Sequence, residues 1–403
     1  MTDLTDDVCR AVQDRNLGPD DERRLYRRLS LIPDDAHRLD AAKCLDPAHI
    51  AEDGGIPATG PPVGAFLDPP SPIQIGASPD PDSFFDRHGL RHDALVDAVL
   101  SQGLVAAGLG ERLWYYHPRG VWRPDGENEA RRRCYDLLGN RARKSHIEGV
   151  VSYFKARHPL IGDSPDTRWI NCRNGLLDWQ TGELHRHDPM VASTWQLGVD
   201  WNPLAECPTV EAWIDQVVSA GTAALLWQVG GAAIYADLPA HRAILLHGAG
   251  RNGKGTFLRL IRQLVGSEHC ASIPLQAFAE NRFAAADLHG KAVNLAGDLD
   301  ARSIGRTDVF KMVTGGDAIH AERKYGQPFT FTNRALNIFA ANELPGTADH
   351  TDGFHSRWII VPFDQVSLTP DDIDPTLEPR MHLELEGVLV RAVNSLRRLM
   401  ESG

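Results

Sequence analysis

The stretch Gly248-Ala249-Gly250-Arg251-Asn252-Gly253-Lys254-Gly255-Thr256 constrains the fold of this chain more than any other. It follows a short apolar run and opens an amphipathic one, the strand-loop-helix context in which a glycine-rich loop cradles phosphate. Gly248, Gly250, Gly253 and Gly255 permit positive φ and close backbone approach, so successive amides can face phosphate oxygens while Lys254 supplies a point charge. Ala243-Ile244-Leu245-Leu246 is the expected buried strand. Phe257, Leu260, Ile261 and Leu264 share one helical face, and Gly266 is placed to end that helix as a left-handed C-cap. The expected nucleotide-binding set is Gly248, Gly250, Asn252, Gly253, Lys254, Gly255, Thr256 and Phe257, with a nucleoside triphosphate as ligand. Gly255 stands where a hydroxyl ordinarily meets magnesium, and Thr256, one residue late, is the expected substitute metal ligand.

A length of 403 residues accommodates two domains with their own cores. The longest weakly polar stretch, Ala220 to Tyr235, is interrupted by Gln228 and Gly230-Gly231 and reads as a buried helix, not a membrane span. The N-terminus, Met1-Thr2-Asp3-Leu4-Thr5-Asp6-Asp7, is acidic and lacks an apolar signal region, so a cytoplasmic protein with no membrane partner is expected. Cysteines at 9, 44, 134, 172, 207 and 270 show no paired spacing and are expected to be reduced thiols. The net charge of −12 argues against general coating of nucleic acid, yet leaves room for a local basic channel. Arg119, Arg123, Arg131, Arg132, Arg133, Arg141, Arg143 and Lys144 form a basic stretch with two readings. One is a DNA-facing surface; the other is a solvated helix face with pairs such as Glu127 with Arg131 or Glu129 with Arg133.

Residues 1–50 read as a charged helical segment, and residues 51–83, with eight prolines and five glycines, as a linker or irregular loop. Residues 84–237 form a mainly helical domain with a small β element, whose turn signals are Asn174-Gly175 and Thr181-Gly182. The aromatic segment from Trp114 to Trp122 suggests a hairpin, its rings either stacking on bases or packing into a core. A nucleotide domain is expected over 238–363 and a helical tail over 364–403.

A second apolar run, Ala292 to Gly297, ends in Asp298-Leu299-Asp300. Carboxylates at a strand end beside a phosphate loop are suited to magnesium and to the attacking water. Asp298 is expected to hold the metal, and either Asp298 or Asp300 to polarise the nucleophile. A third strand, Ala335 to Ala341, presents Asn342 to the γ-phosphate, and a fourth, Trp358 to Val361, is preceded by Arg357. That guanidinium need not serve its own subunit: offered to a neighbour's nucleotide it would act as an arginine finger, and the other reading is a surface salt bridge. Residues 308–317 form a short helix stopped by glycines, and 318–331 alternate as a β-hairpin whose tip carries Arg323 and Lys324, suited to a DNA backbone.

The ordered set Gly248 to Thr256, Asp298-Leu299-Asp300, Lys311 through Gly315-Gly316-Asp317 to Arg323-Lys324-Tyr325, Asn342-Glu343-Leu344-Pro345 and Arg357 resembles the superfamily 3 helicases. More narrowly, it is similar to the helicase half of phage and plasmid primase-helicases of the satellite-phage and poxvirus type. Asn174-Gly175-Leu176-Leu177-Asp178, Thr181-Gly182-Glu183-Leu184 and Glu384-Leu385-Glu386-Gly387-Val388-Leu389 extend the likeness over roughly residues 95–400. The resemblance implies an α/β, AAA+-like P-loop NTPase domain with a parallel sheet, preceded by a mainly helical N-terminal domain. It further implies a homo-hexameric ring that hydrolyses ATP with magnesium and moves on single-stranded or forked DNA. Lys254, Asp298, Asp300, Asn342 and Arg357 would be catalytic, and Arg323 and Lys324, supported by Lys311, would contact DNA. The first 90 residues are short for a fused primase, so a separate primase or initiator is expected, and little room is left for a C-terminal winged-helix module. The alternative is a DNA-binding initiator or regulator that uses ATP only to switch assembly. A small-molecule kinase is disfavoured, since nothing in the sequence positions an acceptor.

Overall fold

The computed structural model describes residues 79–402, apart from short stretches at 109–111, 158–160, 163–165, 236–241, 298, 300–306, 325, 344–345, 347–351, 367–368 and 370–373. The expected N-terminal helical segment (1–50) and most of the linker (51–83) lie outside the described residues. The chain divides into two compact units. In the first, helix α1 (His92–Ser101) packs on α3 (Lys144–Lys155), Leu95, Val96 and Val99 being buried on one and Ile147, Val150, Val151 and Phe154 on the other. Helix α2 (Gly126–Leu138) lies between them in sequence and buries Ala130, Cys134, Leu137 and Leu138.

The second unit takes in residues 103–105, 112–126 and 161–403. Strands β1 (Leu113–His117) and β2 (Val121–Pro124) make the expected antiparallel hairpin. Trp122 is fully buried and donates through Nε1 to the Pro189 carbonyl at 2.8 Å, so this ring packs into the core. Strands β3 (Trp169–Cys172), β4 (Gly175–Asp178) and β5 (Leu184–His185) form the small antiparallel element the two turn signals predict.

Five strands carry the nucleotide loop: β6 (Ala243–His247), β7 (Cys270–Ala271), β8 (Val293–Ala296), β11 (Leu336–Ala341) and β12 (Trp358–Pro362). Their spatial order is β7-β8-β11-β6-β12, and every pairing is parallel. The late strand β11 is thus inserted between β8 and β6, the AAA+ order. Strand residues alternate between two cores. Ile244, Leu246, Val293, Leu295, Ile338 and Ala340 face one; Ala243, Leu245, Ala296, Phe339 and Ala341 face the other. A parallel sheet covered on both faces reads as the unbroken apolar runs of this sequence. The first core holds α4 (Pro208–Val217), α5 (Ala220–Ala233), α6 (Lys254–Val265), α8 (Leu377–Leu383) and α9 (Leu385–Ser402). The second holds α7 (Asp308–Gly315) and the hairpin β9 (Ala318–Ala321) and β10 (Phe329–Thr332).

Where the sequence separates residues up to 237 and beyond 363 from the nucleotide segment, the fold packs α9 against α5 within the same unit. Leu385, Val388, Leu389, Ala392, Val393 and Leu396 supply an amphipathic face to that core. Helix α5 is buried in protein, and among the described residues no helix is long and apolar enough to cross a membrane. Gly266 follows α6 as expected, but at φ 95 and ψ 133, outside the left-handed helical region. Cys134, Cys172, Cys207 and Cys270 are free and buried, and burial pushes the Cys134 and Cys270 thiols up to about 11.

His269, just before β7, is buried, and desolvation lowers its imidazole to about 4, outweighing the nearby Glu268; Arg123 and Lys291 act in the same direction as burial. The native ring is therefore neutral at pH 7, and its 3.8 Å approach to Glu268 is not an ion pair there. Between the native value of about 4 and the unfolded value of 6.5, the unfolded chain binds more protons, so this contribution to stability is lost as pH falls through that window. The loss is expected to reach at most about 3 kcal/mol. Thermal midpoints at pH 7.5 and 5.0 should fall less in His269→Gln than in the wild type, and equal falls would contradict the assignment.

Candidate nucleotide site

The phosphate loop is fastened at both ends. Phe363, just past β12, donates its amide to the His247 carbonyl at 2.7 Å. The Asn252 side-chain amide in turn donates to the Phe363 carbonyl at 2.7 Å. Gly248 is required by this clamp, since a Cβ there would sit 2.3 Å from the Phe363 oxygen and 2.2 Å from Asn252 Nδ2. Gly253 takes φ 98 at the mouth of α6, a region that side-chain-bearing residues avoid. A Cβ on Gly253 would also lie 3.1 Å from Trp213 Cζ2 of α4. Helix α4 therefore braces the loop from outside the glycine-rich motif. Its own N-terminus is capped by Glu384, whose carboxylate accepts from the amides of Thr209 and Val210 at 3.1 Å each.

Lys254 is 7% exposed, and its ammonium donates to the Gly248 carbonyl at 2.5 Å, Asn252 Oδ1 at 3.0 Å and Asn342 Oδ1 at 3.1 Å. A charge so enclosed requires acceptors. Among the described residues, oxygens converge on it from both places, two from the loop and one from the residue just after β11. Register explains the meeting: Ala341 pairs with His247, and Pro362 pairs with His247 on the other side, so the loops after β6, β11 and β12 leave the sheet together. The segment after β8 joins them, the Leu299 amide donating to the Ala340 carbonyl at 2.9 Å. Asp298 and Asp300, which flank Leu299, lie outside the described residues.

The hydroxyl of Thr256, the expected metal ligand, accepts a hydrogen bond from Arg259 at 3.2 Å. Each helical residue turns the side chain by about 100°. A hydroxyl one residue late therefore points to a different side of α6. Phe257, the last of the expected binding residues, is buried against Phe363 in the core beneath the loop.

Arg357 does not join Lys254 within this chain. Its strand starts level with the first residue of β6, which puts the guanidinium at the opposite edge of the sheet, on the order of 15 Å from the loop. There it donates to the Gly353 carbonyl. The expected hairpin is formed, with Ala318 to Ala321 paired to Thr332 to Phe329 and Ile319, Ala321 and Phe331 buried beneath it. Arg323 and Lys324 are exposed at its end, the Arg323 guanidinium lying 4.7 Å from the Phe329 ring centre. Lys311 is half-buried on α7, which leads into the hairpin.

The basic stretch is largely internally neutralised. Arg131 is held by Glu127 and Glu148, Arg132 by Glu129 and Asp136, and Arg133 by Glu129, while Arg123 approaches Glu268 at 3.9 Å. The paired-helix reading of this segment therefore prevails over the DNA-facing one. Sequence reasoning missed Trp213, Arg259 and Glu378, because each reaches the loop or its helices through tertiary packing with no local motif, and it marked Glu384 in the tail without its capping role.

Residues 92–219 match the family described as D5 N terminal like, and residues 246–357 match a family of unknown function, DUF5906. Among solved structures, an A form apo structure of the NrS-1 C terminal region aligns at a TM-score of 0.52 and 13% identity, covering 75% of this chain and 70% of that one. A second, of NrS-1 residues 305–718, aligns at 0.52 and 11% identity over 75% and 71%. At such identities the likeness is one of fold. Joined to the ordered motifs and the strand order, it makes this chain a protein that resembles the superfamily 3 helicases of the primase-helicase type, with an α/β P-loop NTPase domain preceded by a helical region.

Proposed function

We propose that this protein is an ATP-dependent DNA helicase of a phage, prophage or plasmid, working as a ring-shaped homo-oligomer in replication. The observation that carries the reading is the buried Lys254 ammonium, ringed by Gly248, Asn252 and Asn342 oxygens at the C-terminal edge of an AAA+-ordered sheet. Phosphate oxygens can replace those acceptors one for one as nucleotide enters, so the site is built for a polyphosphate whose outer end meets Asn342. Water attacks the γ-phosphorus, the bond to the β-γ bridging oxygen breaks, and ADP leaves. The proton of the water passes to a carboxylate, for which Asp298 and Asp300 are the proposed acceptors.

Magnesium ordinarily accompanies such chemistry and neutralises charge on the phosphates. Thr256 and Asp298 are the residues proposed to hold it; the Thr256 hydroxyl also accepts from Arg259, and Asp298 lies outside the described residues. Arg357, remote from its own loop, is proposed to serve the nucleotide of a neighbouring subunit. Arg323 and Lys324, with Lys311 behind them, are proposed to track single-stranded or forked DNA, and a separate primase or initiator is the proposed partner.

Lys324→Ala is expected to keep basal ATPase, lose most stimulation by DNA, and reduce the slope of log affinity against log salt by about one. Undiminished stimulation would remove the hairpin from the DNA path. The reading as a whole is tested by steady-state ATPase with and without single-stranded DNA, beside molar mass with and without nucleotide. A ring of about six subunits with DNA-stimulated turnover supports it. A monomer or dimer that hydrolyses ATP no faster with DNA supports the alternative, a nucleotide-switched initiator.

A further inference from the structure

Gly255 leaves a gap in the chemistry of this phosphate loop, because the side chain that usually follows the lysine is absent. A guanidinium approaches that gap. A Cβ on Gly255 would lie 3.2 Å from Arg259 Nη1 and 4.0 Å from Nη2. Arg259 is steered there from two directions. Its Nε donates to both carboxylate oxygens of Glu378 at 2.9 Å, and its Nη2 donates to Glu378 Oε1 at 2.5 Å and to Thr256 Oγ1 at 3.2 Å. These three residues, with Leu260, Gln263 and Met381, line a small cleft along the first turns of α6. The Arg259 side chain is 54% exposed and that of Glu378 37%, so water screens the pair and it opens readily. A guanidinium forks onto phosphate oxygens in the same bidentate way that it holds a carboxylate.

We propose that Arg259 is a polyphosphate-binding residue of this site, exchanging the Glu378 carboxylate for nucleotide phosphate and supplying from a side chain part of the charge that magnesium supplies elsewhere. The inference rests on the reading of Gly248 to Thr256 as a nucleotide site. Glu378 acts as the stand-in anion, holding the guanidinium beside Gly255 until phosphate displaces it. Its own charge then opposes the nucleotide.

Equilibrium binding of a fluorescent ADP analogue to the full chain, in magnesium and in excess EDTA, tests the proposal. Wild-type affinity is expected to differ by less than about threefold between the two conditions. Arg259→Ala should weaken binding at least about tenfold in both, the loss of one charge-assisted phosphate contact. Glu378→Ala should bind as tightly as the wild type or more tightly. The double variant Gly255→Ser with Arg259→Ala should regain affinity in magnesium alone. If the pair merely fastens α8 to α6, Arg259→Ala and Glu378→Ala will weaken binding alike, which overturns the proposal. Unchanged affinity in Arg259→Ala overturns it too. Lys254→Ala separates the two levels: loss there with none in Arg259→Ala refutes the role of Arg259 alone, whereas no loss in either refutes the nucleotide site.

Discussion

Replacing Lys254 with alanine is expected to lower ATP turnover at least about 100-fold, the scale of losing one preorganised charged donor at a reacting phosphate. The effect follows from what the ammonium does in the fold. It sits between the loop and the end of β11, bonded to Gly248, Asn252 and Asn342, and is the described cation that meets the loop and this strand end together. Its removal takes away the charge and leaves the Gly248, Asn252 and Asn342 oxygens facing the incoming phosphates. Nucleotide binding should weaken in parallel, because the loop must then hold an anion with amides alone. Turnover measured beside a circular dichroism melt separates loss of the site from loss of the fold. Near-normal turnover by a folded Lys254→Ala protein would remove the whole site assignment.

The second large effect is expected at the other edge of the sheet. Arg357→Ala should lose on the order of 10³ in turnover, as an arginine finger does in comparable phosphoryl transfer. The variant's own loop remains intact, since Arg357 meets Gly353 and not Lys254. The loss should therefore be repaired when variant subunits are mixed with Lys254→Ala subunits, each lending the other what it lacks. Mixed rings in which an intact Arg357 faces an intact loop should turn over ATP, while either variant alone should not. Activity that stays absent at every mixing ratio would place Arg357 outside a shared site.

Much of the fold could be read from the sequence because its signals are local. A glycine-rich loop between an apolar strand and an amphipathic helix fixes strand, loop and helix at once, and β8, β11 and β12 are short apolar runs of the kind a doubly covered parallel sheet demands. Asn342 was legible as a residue of the crevice that holds the loop because strand ends of a parallel sheet face one crevice, whereas its direct bond to Lys254 was not. The parts that escaped are those set by long-range packing. Nothing around Trp213 announces that it will brace Gly253, and nothing around Glu378 announces Arg259, 119 residues away. The tail also misleads: read as an appendage, residues 385–396 present an apolar stripe that belongs to the core beside α5. The basic stretch misleads in the opposite sense, since a count of arginines does not show that Glu127, Glu129 and Glu148 neutralise them.

A motor and a switch share the loop, the sheet and the lysine; they differ in whether hydrolysis moves DNA. ATP-dependent strand displacement from a forked duplex, with a non-hydrolysable analogue as the comparison, tests that difference most directly. Displacement is expected with ATP, and none with the analogue or with Lys254→Ala. Hydrolysis that is stimulated by DNA yet displaces no strand from any fork would contradict the helicase reading, and would leave a protein that binds DNA in a nucleotide-dependent way.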